Sequence, residues 1–189
     1  MKRVALLLIG AVLLFGAVGC SSPPEEAEQE ANAAIAAAES VKAAKYAPEE
    51  WKMAEDTLQA ARSARAAQDD RFALFRSYGD AERLFKSTTV LANNAKSAAE
   101  AQMQIVRDET RQLMDRLTGT IDSLSTRLSK VRPGKDTRAE IEMMKQDLLA
   151  FAQQLGEAEA DYANGDYDAA HTKAKAVEQK VVAFSENMP

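Results

Sequence analysis

The chain has one thiol, Cys20, and its position is the first sign of covalent chemistry. With no second cysteine to pair with, a disulfide within the chain is excluded. Lys2 and Arg3 precede an apolar run, residues 4–15, that carries no charge, and Gly16-Ala17-Val18-Gly19 brings small residues up to the cysteine. Positive flank, apolar stretch and small residues, in that order, make a secretory leader. Counted with the small residues after it, the apolar stretch is about 15 residues, short of the roughly 20 that a spanning helix needs. Ser21-Ser22-Pro23-Pro24-Glu25-Glu26 follows, polar and acidic, without a basic stop-transfer patch. Cleavage ahead of Cys20 would place its thiol at the new end of the chain.

The other reactive groups are scattered. The single histidine, His171, lies beside Ala170 on the flank of an apolar stripe and reads as a solvated flank residue. Without a second histidine or cysteine, neither a zinc set nor a nucleophile–base–orienter arrangement is expected, so we expect no metal and no catalytic group. Asp161, Asp166 and Asp168 surround Asn164-Gly165 but lack the spacing and final glutamate of a calcium loop; they read as turn chemistry. Two clusters are candidate contact surfaces. Arg127, Lys130, Arg132, Lys135 and Arg138 flank Pro133-Gly134, where cations complement the C-terminal end of a helix dipole. The same cluster could also meet an anionic envelope polymer or an envelope protein. Trp51, Phe72, Phe75, Tyr78 and Phe85 are expected to fill the core between alanine-lined helices, or else to line a groove for an apolar ligand or a partner's helix.

The elements that must position these groups are helices. Proline occurs only at positions 23, 24, 48, 133 and 189, and alanine, leucine, glutamate, lysine and arginine, all good helix formers, are abundant. No segment alternates as a strand does. The reading is an all-α chain in which an antiparallel helical hairpin and a three-helix, coiled-coil-like bundle share one long helix. Residues 1–19 are the cleaved leader and 20–24 a linker. Residues 25–68 form the hairpin, with a first helix to Ala44 and a second opened by Pro48. Residues 69–132 form the long helix, starting at Arg71. It carries Phe72, Phe75, Tyr78 and Phe85, then Leu84, Leu91, Ala95 and Ala98, and finally Met114, Leu117, Ile121, Leu124, Leu128 and Val131. Gly79 and Thr118-Gly119-Thr120 are the places where it could break. Residues 133–189 form a second hairpin that packs on its end. Asp136 or Thr137 would cap the first helix there, and Asn164-Gly165 would end it. The seams are Ile141, Met144, Leu148, Phe151, Leu155, Ala158 and Tyr162, then Tyr167, Ala170, Ala174, Val177, Val181, Phe184 and Met188.

Two resemblances refine this. Ala17-Val18-Gly19-Cys20 resembles the lipobox of bacterial lipoproteins, which implies cleavage before Cys20 and acylation of it by several fatty chains such as palmitate. Ser21 after the cysteine resembles the signal for export to the outer membrane, facing the periplasm, rather than for retention in the inner membrane. Ala31, Ala34, Ile35 and Ala38, then Tyr46-Ala47-Pro48-Glu49, then Ala54, Leu58 and Ala61 are similar to an alanine-rich helical domain of unknown function found in bacterial lipoproteins. That family offers no catalytic or binding residues to carry over. Removing Lys2 and Arg3 from 24 basic residues leaves 22 against 29 acidic ones, a net charge of −7 that argues against nucleic acid as a partner. The expectation is a non-enzymatic, lipid-anchored scaffold or spacer of the envelope. The covalent lipid is its only added group, and its seams could also serve oligomerisation.

Overall fold

Runs of good helix formers punctuated by proline, glycine and aspartate fold into six α-helices among the described residues of a computed structural model. They are α1 (Glu25–Ser40), α2 (Ala43–Tyr46), α3 (Pro48–Asp69), α4 (Gly79–Lys130), α5 (Arg138–Ala163) and α6 (Tyr167–Glu186), with a 3-10 turn at Ala73–Phe75. The structure describes residues 22–188 except 133, 135 and 136. The leader, Cys20, Pro133, Lys135 and Asp136 therefore lie outside the described residues. The fold is all-α, and α4 contributes residues to two separate cores. The chain divides into two compact units between Glu100 and Ala101.

In the first unit α1 and α3 run antiparallel. Arg62 Nη2 donates to Asn32 Oδ1 at 2.8 Å, and Arg65 pairs with Glu28 one turn further along. α1 opens with Glu25, Glu26 and Glu28, which suit the positive end of its dipole. It buries Ala27, Ala31, Ala34 and Ala38. α1 stops at Ser40 rather than at Ala44, because Lys42 takes a left-handed φ of 58° and starts the single turn α2. That turn buries Ala43 and Tyr46. Pro48 opens α3 at the position where its missing N–H costs nothing.

The early part of α4 completes a three-helix packing. Ala27, Ala31, Leu58, Ala61, Ala81 and Phe85 form one cluster, and Ala34, Ala54 and Ala92 another. The buried stripe of α4 here is Ala81, Phe85, Thr88, Ala92, Ala95 and Ala99. Of the expected row, Phe85 and Ala95 are buried in this stripe, whereas Leu84, Leu91 and Ala98 are half-buried flanks. Small residues allow close backbone approach at the centre, and the two leucines cover its edge.

The second unit joins the end of α4 to α5 and α6. Its core contains Leu113, Met114, Leu117, Ile121, Leu124, Leu128, Ile141, Leu148, Leu155, Ala158, Ala174, Val177, Val181 and Phe184. Every expected seam residue of α5 lies in this core or packs against it, with Phe151 edge-on to Phe184 at 5.9 Å. Only Leu113 was not anticipated. Gly165, at φ +78°, closes α5 in a Schellman pattern, with Gly165 N–H donating to Tyr162 O and Asp166 N–H to Asp161 O, both at 3.0 Å. Asp166 then caps α6 by accepting from Ala169 N–H. Thr137 occupies the N-cap of α5 but does not cap it; its Oγ1 accepts from Gly134 N–H at 2.9 Å instead.

Candidate functional site

The long helix begins at Gly79, not Arg71, and the difference exposes the most unusual surface of the first unit. Residues 70–78 form a loop tied down by its neighbours. Arg76 Nε donates to Arg71 O at 2.9 Å and Nη2 to Asp69 O at 2.8 Å. Ser77 N–H donates to Gln68 Oε1 at 3.1 Å. Tyr78 O–H donates to Asp69 Oδ1 at 2.6 Å, and that bond, then burial, holds the phenol above its ordinary pKa. Each of these bonds competes with helix formation through residues 70–78. Gly79 followed by Asp80 and Glu82 is the helix-start signal that marks the true boundary.

The aromatic cluster expected from the sequence is therefore divided. Tyr78 and Phe85 are buried, and Phe85 belongs to the core beside Leu58. Phe72 and Phe75 are 69% and 73% exposed, with Leu74 between them at 63%. Their rings lie 6.4 Å apart, tilted, on the outside of the loop. Trp51 is half-buried in the first turn of α3, at the opposite end of that helix from Asp69 and Tyr78. The five do not converge on one groove. An apolar groove of about 370 Å³ lies elsewhere, in the second unit, lined by Ile121, Leu128, Leu148, Leu149 and Ala152.

The basic cluster sits in the second unit, where α4 ends and α5 begins. Arg127, Lys130, Arg132 and Arg138 are all exposed, and none pairs with a described carboxylate; Lys135 lies outside the described residues. Arg127 and Lys130 occupy the last turn of α4. There they complement the negative end of its dipole while their charges face water.

His171 is not a solvated flank residue. It is half-buried, with Nδ1 3.1 Å from Thr110 Oγ1. Thr110 is fully buried, and its hydroxyl donates to Val106 O at 2.6 Å. Its single proton being so engaged, Thr110 Oγ1 accepts from His171 Nδ1–H. With its hydroxyl committed to a helix carbonyl and in contact with His171, Thr110 ties α6 to α4. The signal for it in the sequence is weak, a lone threonine in phase with Met114 and Leu117. Asp161 pairs with Lys173 at 2.7 Å, and that hydrogen bond raises the lysine's pKa. Asp166 thus serves as a cap and Asp161 joins α5 to α6.

No family model, curated protein or solved structure matches this chain.

Proposed function

We propose that the chain is a lipid-anchored, non-enzymatic helical scaffold or spacer of the bacterial envelope, held in the outer membrane through acylated Cys20 and facing the periplasm. The observation that carries this reading is the placement of the one cysteine. It stands behind a charge-free run and Ala17-Val18-Gly19, five residues ahead of the first helix at Glu25. The likeness to alanine-rich lipoprotein domains belongs to the same proposal. Each buried acyl methylene contributes about 0.8 kcal/mol, one chain holds only marginally, and several make the attachment durable. No helix among the described residues is long and apolar enough to cross a membrane. Metabolic labelling with radioactive palmitate should mark the native protein and not Cys20→Ser, which should move to the soluble fraction. An unmodified Cys20 thiol on soluble native protein would overturn the proposal.

A second reading, a binding module for an anionic cell-wall polymer, is favoured by one observation. Arg127, Lys130, Arg132 and Arg138 are exposed and unpaired with described carboxylates on a chain of net negative charge. Lys130→Glu combined with Arg132→Glu and Lys135→Glu should abolish co-sedimentation with isolated cell-wall sacculi. Unchanged sedimentation would retire this reading and leave the anchor untouched.

A further inference from the structure

The loop that precedes α4 is ordered yet turned inside out in polarity. Arg76, Gln68, Asp69 and Tyr78 hold it with four side-chain hydrogen bonds, and Phe75 N–H closes the 3-10 turn on Phe72 O at 2.9 Å. These bonds tie the loop to the end of α3, while Phe72, Leu74 and Phe75 are exposed to solvent. Three large apolar residues presented together on a braced loop need a partner surface.

The place of the loop within the first unit identifies that surface. Ser22, Pro23 and Pro24 line one open cavity together with Glu82 and Lys86 from the opening turns of α4. The loop runs into that same end of α4 at Gly79. The antiparallel pairing of Glu28 with Arg65 also brings the start of α1 beside the end of α3, from which the loop departs. Only Ser21 lies between Ser22 and Cys20, so the two Cα atoms are at most about 7 Å apart at full extension. A lipid on Cys20 would hold this end of the unit at the bilayer surface.

We propose that loop 71–76 is a membrane-contact element that seats Phe72, Leu74 and Phe75 in the interfacial layer of the bilayer to which Cys20 is tethered. The inference rests on the anchor reading above and adds to it a second, protein-borne contact. Phenylalanine and leucine suit the boundary between headgroups and acyl chains. Arg71 is exposed beside them, whereas Arg76 is spent on the loop itself. Glu25, Glu26, Asp70, Asp80 and Glu82 also crowd this end, so attraction to anionic lipid does not drive the contact. It is apolar, and it persists on zwitterionic lipid and at high salt.

The test uses the acylated full-length mature protein reconstituted into phosphatidylcholine vesicles. With Cys20 acylated, Leu74→Cys supplies the only free thiol for a nitroxide label. Its collision rate with oxygen, relative to a water-soluble nickel chelate, should exceed several-fold that of a label at Met53→Cys, an exposed position in the first half of α3. Adding Phe72→Ser and Phe75→Ser should return the Leu74→Cys label to the Met53→Cys value with the helical circular dichroism unchanged. If the label at position 74 is as open to the chelate as the label at position 53, with acylation verified by mass spectrometry, the loop proposal fails and the anchor stands. If the label is shielded from both reagents even without vesicles, a second copy or another segment of the chain covers the loop, and the lipid contact is again refuted. If Cys20 carries no acyl chain, the anchor reading and this inference fall together.

Discussion

Gly119 lies within α4, exposed and flanked by Thr118 and Thr120, and the helix passes through all three unbroken. Three poor helix formers in a row are tolerated because Thr118 and Thr120 donate to the carbonyls of Met114 and Arg116, and because Leu117 and Ile121 anchor the turn in the core. An added Cβ at Gly119 would meet nothing within 4 Å. Gly119→Ala should therefore stabilise the protein by about 0.8–1.0 kcal/mol, the difference in helix propensity. Urea denaturation read by circular dichroism measures it; no gain would mean that the glycine serves a contact formed only with a partner. Thr110 teaches a related lesson. A buried threonine survives in an apolar stripe because its hydroxyl is bonded to Val106 O and its neighbour His171 reaches it across the helix pair.

Among the elements, the first unit depends on few large side chains. α1 buries only alanines, α3 adds Leu58, and α4 brings Phe85, fully buried against both. Phe85→Ala should cost about 3–5 kcal/mol, through lost burial and a cavity that alanine-lined helices cannot collapse around. Thermal unfolding followed by circular dichroism should show the first unit melting early while the second, with its leucine, isoleucine and valine seams, keeps its transition. A single unchanged transition would contradict the separation of the two cores. The start of α4 carries the same message from the other side. Periodicity favours helix from Arg71 onward, yet side-chain bonds from Arg76 and to Gln68 and Asp69 hold residues 70–78 out of it.

Across the whole molecule, the burial pattern is discontinuous along an unbroken helix. Ala99 is buried in the first unit and Thr110 in the second, but none of residues 100–109 is buried, and Ile105 is about half exposed. Local pairs support this stretch: Lys96 with Glu100, Gln104 with Asp108, and Arg111 with Asp115 just beyond it. Such pairs add only about 0.2–0.5 kcal/mol each. Hydrogen exchange should find the lowest protection within α4 at residues 100–109 and the highest at Leu117 to Leu128, since local opening is easiest where few apolar contacts are lost. Uniform protection along α4 would mean that another surface covers the middle of the helix.

The residues alone determined the all-α class, the sharing of one long helix, the seams of α5 and α6 and the turn at Gly165. Each follows from three-four spacing and from local backbone chemistry, which act within a few residues. Tertiary structure decided what spacing cannot: which of two adjacent stripes of α4 turns inward against the alanine hairpin, whether His171 is free or tied to Thr110, and whether Phe72 and Phe75 are core or surface. Those outcomes depend on partners far away in the chain, on close helix approach and on competing side-chain bonds. Such contacts leave no periodic signature in the residues that make them.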